Sequence, residues 1–83
     1  MKLFRIRNNH NETIWYEASR PLAKRYLKAL TPDQREQLFV EQLNIPTKAG
    51  DVVAYLNGVE PSADFVVAKW DVTRRGGLVE FVE

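Results

Sequence analysis

The side chains able to do covalent or metal chemistry are few. The chain has one histidine, His10, and no cysteine, so thiolate metal sites, iron–sulfur clusters, disulfides and a cysteine nucleophile are excluded. His10 sits in "NNHNE", a polar cluster that reads as a solvated turn. A metal site needs several converging ligands, and the acids Asp33, Glu36, Glu41, Asp51, Glu60, Asp64 and Asp71 are dispersed with no dense calcium loop among them. Ser19 reads as a helix cap and Ser62 as a loop serine after Pro61. Neither lies in the strand-turn-helix elbow that a hydrolase serine requires. Gly76-Gly77 joins two strand-like runs, whereas a phosphate loop leads from a strand into a helix. These patterns predict no catalytic residue, no metal and no cofactor.

What remains is charge. The stretch "SRPLAKRYLKAL" carries Arg20, Lys24, Arg25 and Lys28 and no acid. Ser19 can cap a helix and Pro21 suits its first turn, where no backbone N–H is needed. Leu22, Ala23, Tyr26, Leu27 and Leu30 recur at helical spacing, which predicts a helix over 20–30 with one apolar arc. Arg20, Lys24 and Lys28 follow one another at i, i+4, i+8 beside that arc, and Arg25 lies further round. Packing face and basic face are therefore separate, and the four cations are the primary candidate binding residues. Arg5, Arg7, Arg74 and Arg75 are candidate extensions. Net charge is +1, but residues 1–30 hold seven Lys/Arg against two acids, while residues 31–83 hold five against nine. That asymmetry favours an electrostatically guided partner.

The elements that must carry these residues read as follows. "KLFRIR" alternates, with Phe4 and Ile6 on one face and Leu3, Arg5 and Arg7 on the other, so it predicts a strand. "TIWYEA" is a second strand, and the two form a hairpin across "NNHNE". Thr31-Pro32-Asp33-Gln34 is a capping box that opens a second helix, expected over 32–43, with Leu38, Phe39 and Leu43 as its apolar stripe. The two helices meet at Leu30–Pro32 with almost no linker. "DVVAYL" (51–56) predicts a third strand. "FVVAKWDV" and "LVEFVE" form a closing hairpin around "TRRGG", with Val66, Ala68, Trp70 and Val72 as the inner face and both glycines supplying positive φ. The order ββ-αα-βββ points to an α+β two-layer domain, an antiparallel sheet with the helix pair on one face.

Length and composition agree with one domain over 1–83. A chain of this size buries about 60–65% of its unfolded surface, enough for one modest core. Lack of cysteine and of a signal-like N-terminus leads to the expectation of a cytoplasmic protein. No apolar run approaches the ~20 residues of a bilayer-spanning helix.

Three classes of function compete for these features. The first is a non-enzymatic protein that contacts a protein or nucleoprotein complex through the basic helix face. Exposed Trp or Tyr would serve as anchors, and a sheet edge would be open to strand addition or an edge-strand homodimer. The second is direct nucleic-acid binding by the same patch. Against it stand a sequence pI near 8.1 and the acids of the expected second helix. The third is a toxin of the RelE/ParE class, in which Arg74, Arg75, Lys69 and Tyr55 would take the basic and aromatic roles; here a hairpin precedes the helices where that class has one strand. Finally, "YEASRPLAKRYL", a strand end followed by a Ser cap and "AKR" in the first helical turn, resembles the strand-to-helix junction of small phage and mobile-element proteins, some anti-CRISPR proteins among them. That resemblance implies a compact inhibitor that blocks a defence complex sterically, without catalysis. It implies no particular site residues.

Overall fold

A computed structural model describes residues 1–45 and 65–81. The expected strand 51–56, the candidate toxin residue Tyr55, Ser62, Asp51, Glu60, Asp64 and the last residues of the closing hairpin lie outside them. The chain is a small α+β domain. Its described elements are β1 (Lys2–Asn8), β2 (Thr13–Glu17), α1 (Arg20–Lys28), α2 (Pro32–Glu36), β3 (Leu38–Asn44), β4 (Val66–Val72) and β5 (Leu78–Glu80). The strands make one sheet in the order β2-β1-β3-β4-β5, and every neighbouring pair is antiparallel.

β1 is the strand its alternation predicts, and the structure decides which face is buried. Phe4 and Ile6 turn to the helix-bearing face and are 4% and 0% exposed. They pack with Ala23 and Leu27 of α1, Val40 of β3 and Trp70 and Val72 of β4. Burying these side chains between helix and sheet supplies the main driving force for the fold. Asn8 organises the first hairpin: its Oδ1 accepts from the amides of His10 and Glu12, and Asn11 adopts φ 59°. Asn takes that left-handed conformation more readily than most residues.

Both helix starts follow their sequence signals. Ser19 Oγ accepts from the Leu22 amide, and Pro21 occupies the first turn. Thr31 and Gln34 form the reciprocal capping box. The second helix, however, ends at Glu36 rather than running to residue 43. Residues 38–44 are a strand instead, paired with β1 on one side and β4 on the other. The reason is its central position. A strand with neighbours on both sides and buried residues on both faces carries apolar residues on each face, which blurs the period of two. Val40 is buried toward the helices, and Leu43 is buried opposite Leu3. Along the chain, residues 38, 39 and 43 imitate a helical stripe. The sheet thus has five described strands, but one of them is 38–44.

Arg35 of α2 is buried. Its Nη1 donates to the carbonyl oxygens of Leu27 and Lys28 at 3.2 and 3.5 Å, satisfying the C-terminal end of α1. In the β4–β5 turn only Gly76 takes positive φ, 84°; the Gly77 amide donates to Thr73 Oγ1. A Cβ on Gly76 would stand 3.1 Å from Lys28 Cγ, so this turn is docked on the end of α1.

Candidate binding surface

Helix α1 lies on the sheet with Ala23 and Leu27 fully buried, and Tyr26 and Leu30 packed at the margin of the core. That orientation follows from its apolar arc and turns the cations away from the core. Arg25 and Lys28 are exposed and Lys24 is half-buried. Arg20 lies with its guanidinium 5.1 Å from the centre of the Trp70 ring, a cation–π contact that fixes the N-terminal end of the row over β4. None of the four forms an ion pair with a described residue. At the other end Gly76, the chain neighbour of exposed Arg75, packs against Lys28. The row therefore runs Arg20, Lys24, Lys28, with Arg25 beside it and Arg75 in the turn docked at its end. At 1.5 Å per residue the helical part spans about 12 Å.

The other candidate cations do not join it. Arg74 pairs with Glu36 and Asp33 of α2, and that pairing, the Glu36 hydrogen bond first, raises its pKa. Arg5 and Arg7 project from the opposite face of the sheet, so they extend nothing on α1. Arg5 is 2% exposed and donates through Nε to Glu41 Oε1 at 3.1 Å, with Nη2 at 3.0 Å from the same oxygen. Burial alone lowers the Arg5 pKa, but the charge and hydrogen bond of Glu41, with help from Tyr16, reverse this and leave it raised. Arg7 reaches Glu41 Oε1 at 3.3 Å and the Asn11 carbonyl at 2.6 Å. Lys69 approaches Glu41 Oε2 at 3.7 Å and lies over Phe39. One buried carboxylate thus anchors three cations. Sequence reasoning misses this hub because a helix over 32–43 puts Glu41 elsewhere. In "LFVEQLN" Glu41 follows the core residue Val40, as Arg5 follows Phe4 in β1.

His10 is exposed in the hairpin turn, and among the described residues no group of three His, Asp or Glu could hold a metal ion. Lys69 and Arg74, two of the toxin-like candidates, sit on opposite faces of the sheet with their charges engaged.

Two aromatic features separate as well. Trp70 belongs to the core, 8% exposed. Trp15 is 49% exposed on the edge strand, stacked on Tyr26 at 5.4 Å and 1°, with its indole N–H donating to Glu17 Oε1 at 2.7 Å. Ile14 and Leu22 are also exposed. The apolar rim of Leu22, Tyr26 and Trp15 lies across α1 from the row that starts over Trp70. Fold and surface together define a small α+β domain with a one-sided cationic helix. No protein-family model, curated protein or solved structure matches the chain.

Proposed function

We propose that the protein is a non-enzymatic binding module that docks on an acidic surface of a protein or nucleoprotein complex through the α1 cation row. One observation carries this reading. Arg20, Lys24, Arg25 and Lys28 have no acidic partner among the described residues, whereas Asp33, Glu36 and Glu41 are occupied by Arg74 or by Arg5, Arg7 and Lys69. Charges left unpaired on a rigid helix steer association and set orientation. The exposed Leu22 and Trp15, with half-buried Tyr26 between them, supply the apolar and aromatic contact area that anchors protein interfaces. If the partner is a defence complex, as the junction resemblance implies, occupation of its acidic surface would act sterically.

The test is a titration at low and high salt against polyglutamate, random duplex DNA and single-stranded RNA, using wild type and Lys24→Glu/Lys28→Glu. The proposal expects salt-sensitive binding to polyglutamate that the double variant abolishes. Tighter binding to either nucleic acid would replace it with the nucleic-acid reading. Lack of binding to all three at low salt would remove the function from α1 altogether.

A further inference from the structure

We infer that a second copy of this chain pairs with β5, joining two sheets edge to edge and setting two α1 cation rows on one face. The backbone of β5 points to this. The Phe81 amide donates to the Lys69 carbonyl at 2.9 Å and the Thr73 amide to the Gly77 carbonyl at 2.9 Å. Residues 77, 79 and 81 therefore bond inward to β4. Hydrogen-bonded and non-hydrogen-bonded pairs alternate in an antiparallel ladder, so Leu78 and Glu80 turn their N–H and C=O groups outward. No described strand lies beyond β5. The outer edge is three residues long and carries one charge, Glu80, but it has no lysine, no proline and no bulge in its pairing with β4, three of the devices that protect a sheet edge. By contrast, the opposite edge strand, β2, is interrupted by a register shift.

The side chains choose the occupant. In a two-fold antiparallel register centred on Val79, Leu78 faces Glu80 of the second copy in a hydrogen-bonded pair, and the reverse pair repeats it. Val79 meets Val79 of the second copy in the closer, non-hydrogen-bonded position. Phe81 falls across Gly77 of the second copy, an aromatic covering an edge glycine. Val79 and Phe81, 55% and 52% exposed, would both be covered. A register centred on Glu80 instead sets two glutamates directly opposite, which is unfavourable. The strand is thus self-complementary in the register centred on Val79.

The geometry has a consequence for α1. Strand addition about a two-fold normal to the sheet leaves both helices on the same side. Three inter-strand steps of about 4.8 Å separate the two β4 strands by about 14 Å. Each Arg20 sits over Trp70 of its own β4, so the two rows face each other across the axis at more than the ~8 Å screening length of physiological salt. Their repulsion is weak, and Glu80, opposite Trp70 on that face, lies between them. The doubled row rests on the function proposed above; the pairing itself does not.

Sedimentation equilibrium of the full chain over a range of concentrations tests the pairing, with amide hydrogen exchange as the residue-level readout. The expected result is a dimer in which the Leu78 and Glu80 amides are protected and lose that protection on dilution. Val79→Lys should give a monomer with an unchanged circular-dichroism spectrum, and mixing it with Val79→Asp should restore a heterodimer. Should Val79→Lys misfold, Phe81→Glu serves the same purpose. A monomer at every concentration, a wild-type-like dimer in a folded Val79→Lys or Phe81→Glu variant, or unprotected Leu78 and Glu80 amides in the dimer would each overturn the inference. Lys24→Glu/Lys28→Glu should leave the dimer mass unchanged, so failure of the α1 reading and failure of the pairing are told apart. On polyglutamate long enough to reach both rows, the monomeric variant should bind about 10²-fold more weakly than the dimer.

Discussion

Replacing Glu41 by glutamine keeps its shape and removes the charge that compensates Arg5. Both side chains are 3% exposed, so neither is rescued by water. Arg5 stays protonated, since a guanidinium is always charged near neutrality. The introduced amide can still accept one hydrogen bond, but a charge-assisted bond is roughly twice as strong as a neutral one. Removing one partner of a buried pair outright costs about 3–5 kcal/mol. Retention of the acceptor places Glu41→Gln at about 2–3 kcal/mol and Glu41→Leu near the upper end of the range for outright removal. Stability of ~0.05–0.15 kcal/mol per residue gives about 4–12 kcal/mol for 83 residues, so the loss is a large share of the whole. With a urea slope of about 1 kcal/mol/M, the midpoint should fall by about 2–3 M. Lys69→Met is the control. Its amine is 3.7 Å from Glu41 and its side chain 49% exposed, so its loss should cost under about 1 kcal/mol. Arg5→Met combined with Glu41→Leu should recover most of the stability, because an apolar pair of similar volume replaces a buried ion pair with little loss. A midpoint for Glu41→Gln within about 0.5 M of wild type, or a Lys69→Met loss as large as that of Glu41→Gln, would refute the hub as the cause.

Three further substitutions probe how α1 and α2 are held. Arg35→Met should destabilise the protein by about 1–3 kcal/mol in urea unfolding, because the Leu27 and Lys28 carbonyls lose their shared donor. Gly76→Ala should cost about 1–2 kcal/mol, since φ is 84° and the new methyl would meet Lys28 Cγ at 3.1 Å; a thermal midpoint equal to wild type would contradict the docked turn. Thr31→Ala should cost about 1 kcal/mol through the capping box, with helical ellipticity as a second readout.

The parts of the fold that can be read from the chain are those fixed by local physics. Ser19, Pro21, Thr31 and Gln34 act within a turn of where they stand, so their roles need no tertiary partner. The alternation of Phe4 and Ile6 with Leu3, Arg5 and Arg7 marks β1 as a strand, but bulky residues on both faces leave the choice of the buried face to the helix that packs on it. Trp70 and Val72 fall inward, on the face their alternation predicts. Residues 38–44 are not legible, because their conformation is decided by β1 and β4. Two flanking strands supply hydrogen bonds to a segment whose apolar residues fall on both faces, and that pairing overrides a helical spacing. The consequences spread to charge. Once 38–44 is a strand, Glu41 leaves the surface and meets Arg5, while Asp33 and Glu36 are occupied by Arg74.

That redistribution changes what the α1 cations can do. On the sequence, an acidic second helix next to "SRPLAKRYLKAL" would have offset the row. In the structure the acids of residues 33–41 are spent on other cations, and the Arg74–Arg75 turn is split between two tasks. Arg74 ties the turn to α2, and Arg75 is carried to the end of the row by Gly76 packing on Lys28. The turn thus holds α1 in place and lengthens its charged face at once. This predicts a separation measurable by binding. Arg75→Ala should weaken polyglutamate binding and leave the urea midpoint unchanged, because its side chain is exposed and joins no ion pair among the described residues. Gly76→Ala should lower the midpoint first and affect binding only through the position of the turn. If Arg75→Ala instead destabilises the fold and spares binding, the row ends at Lys28 and the turn serves structure alone.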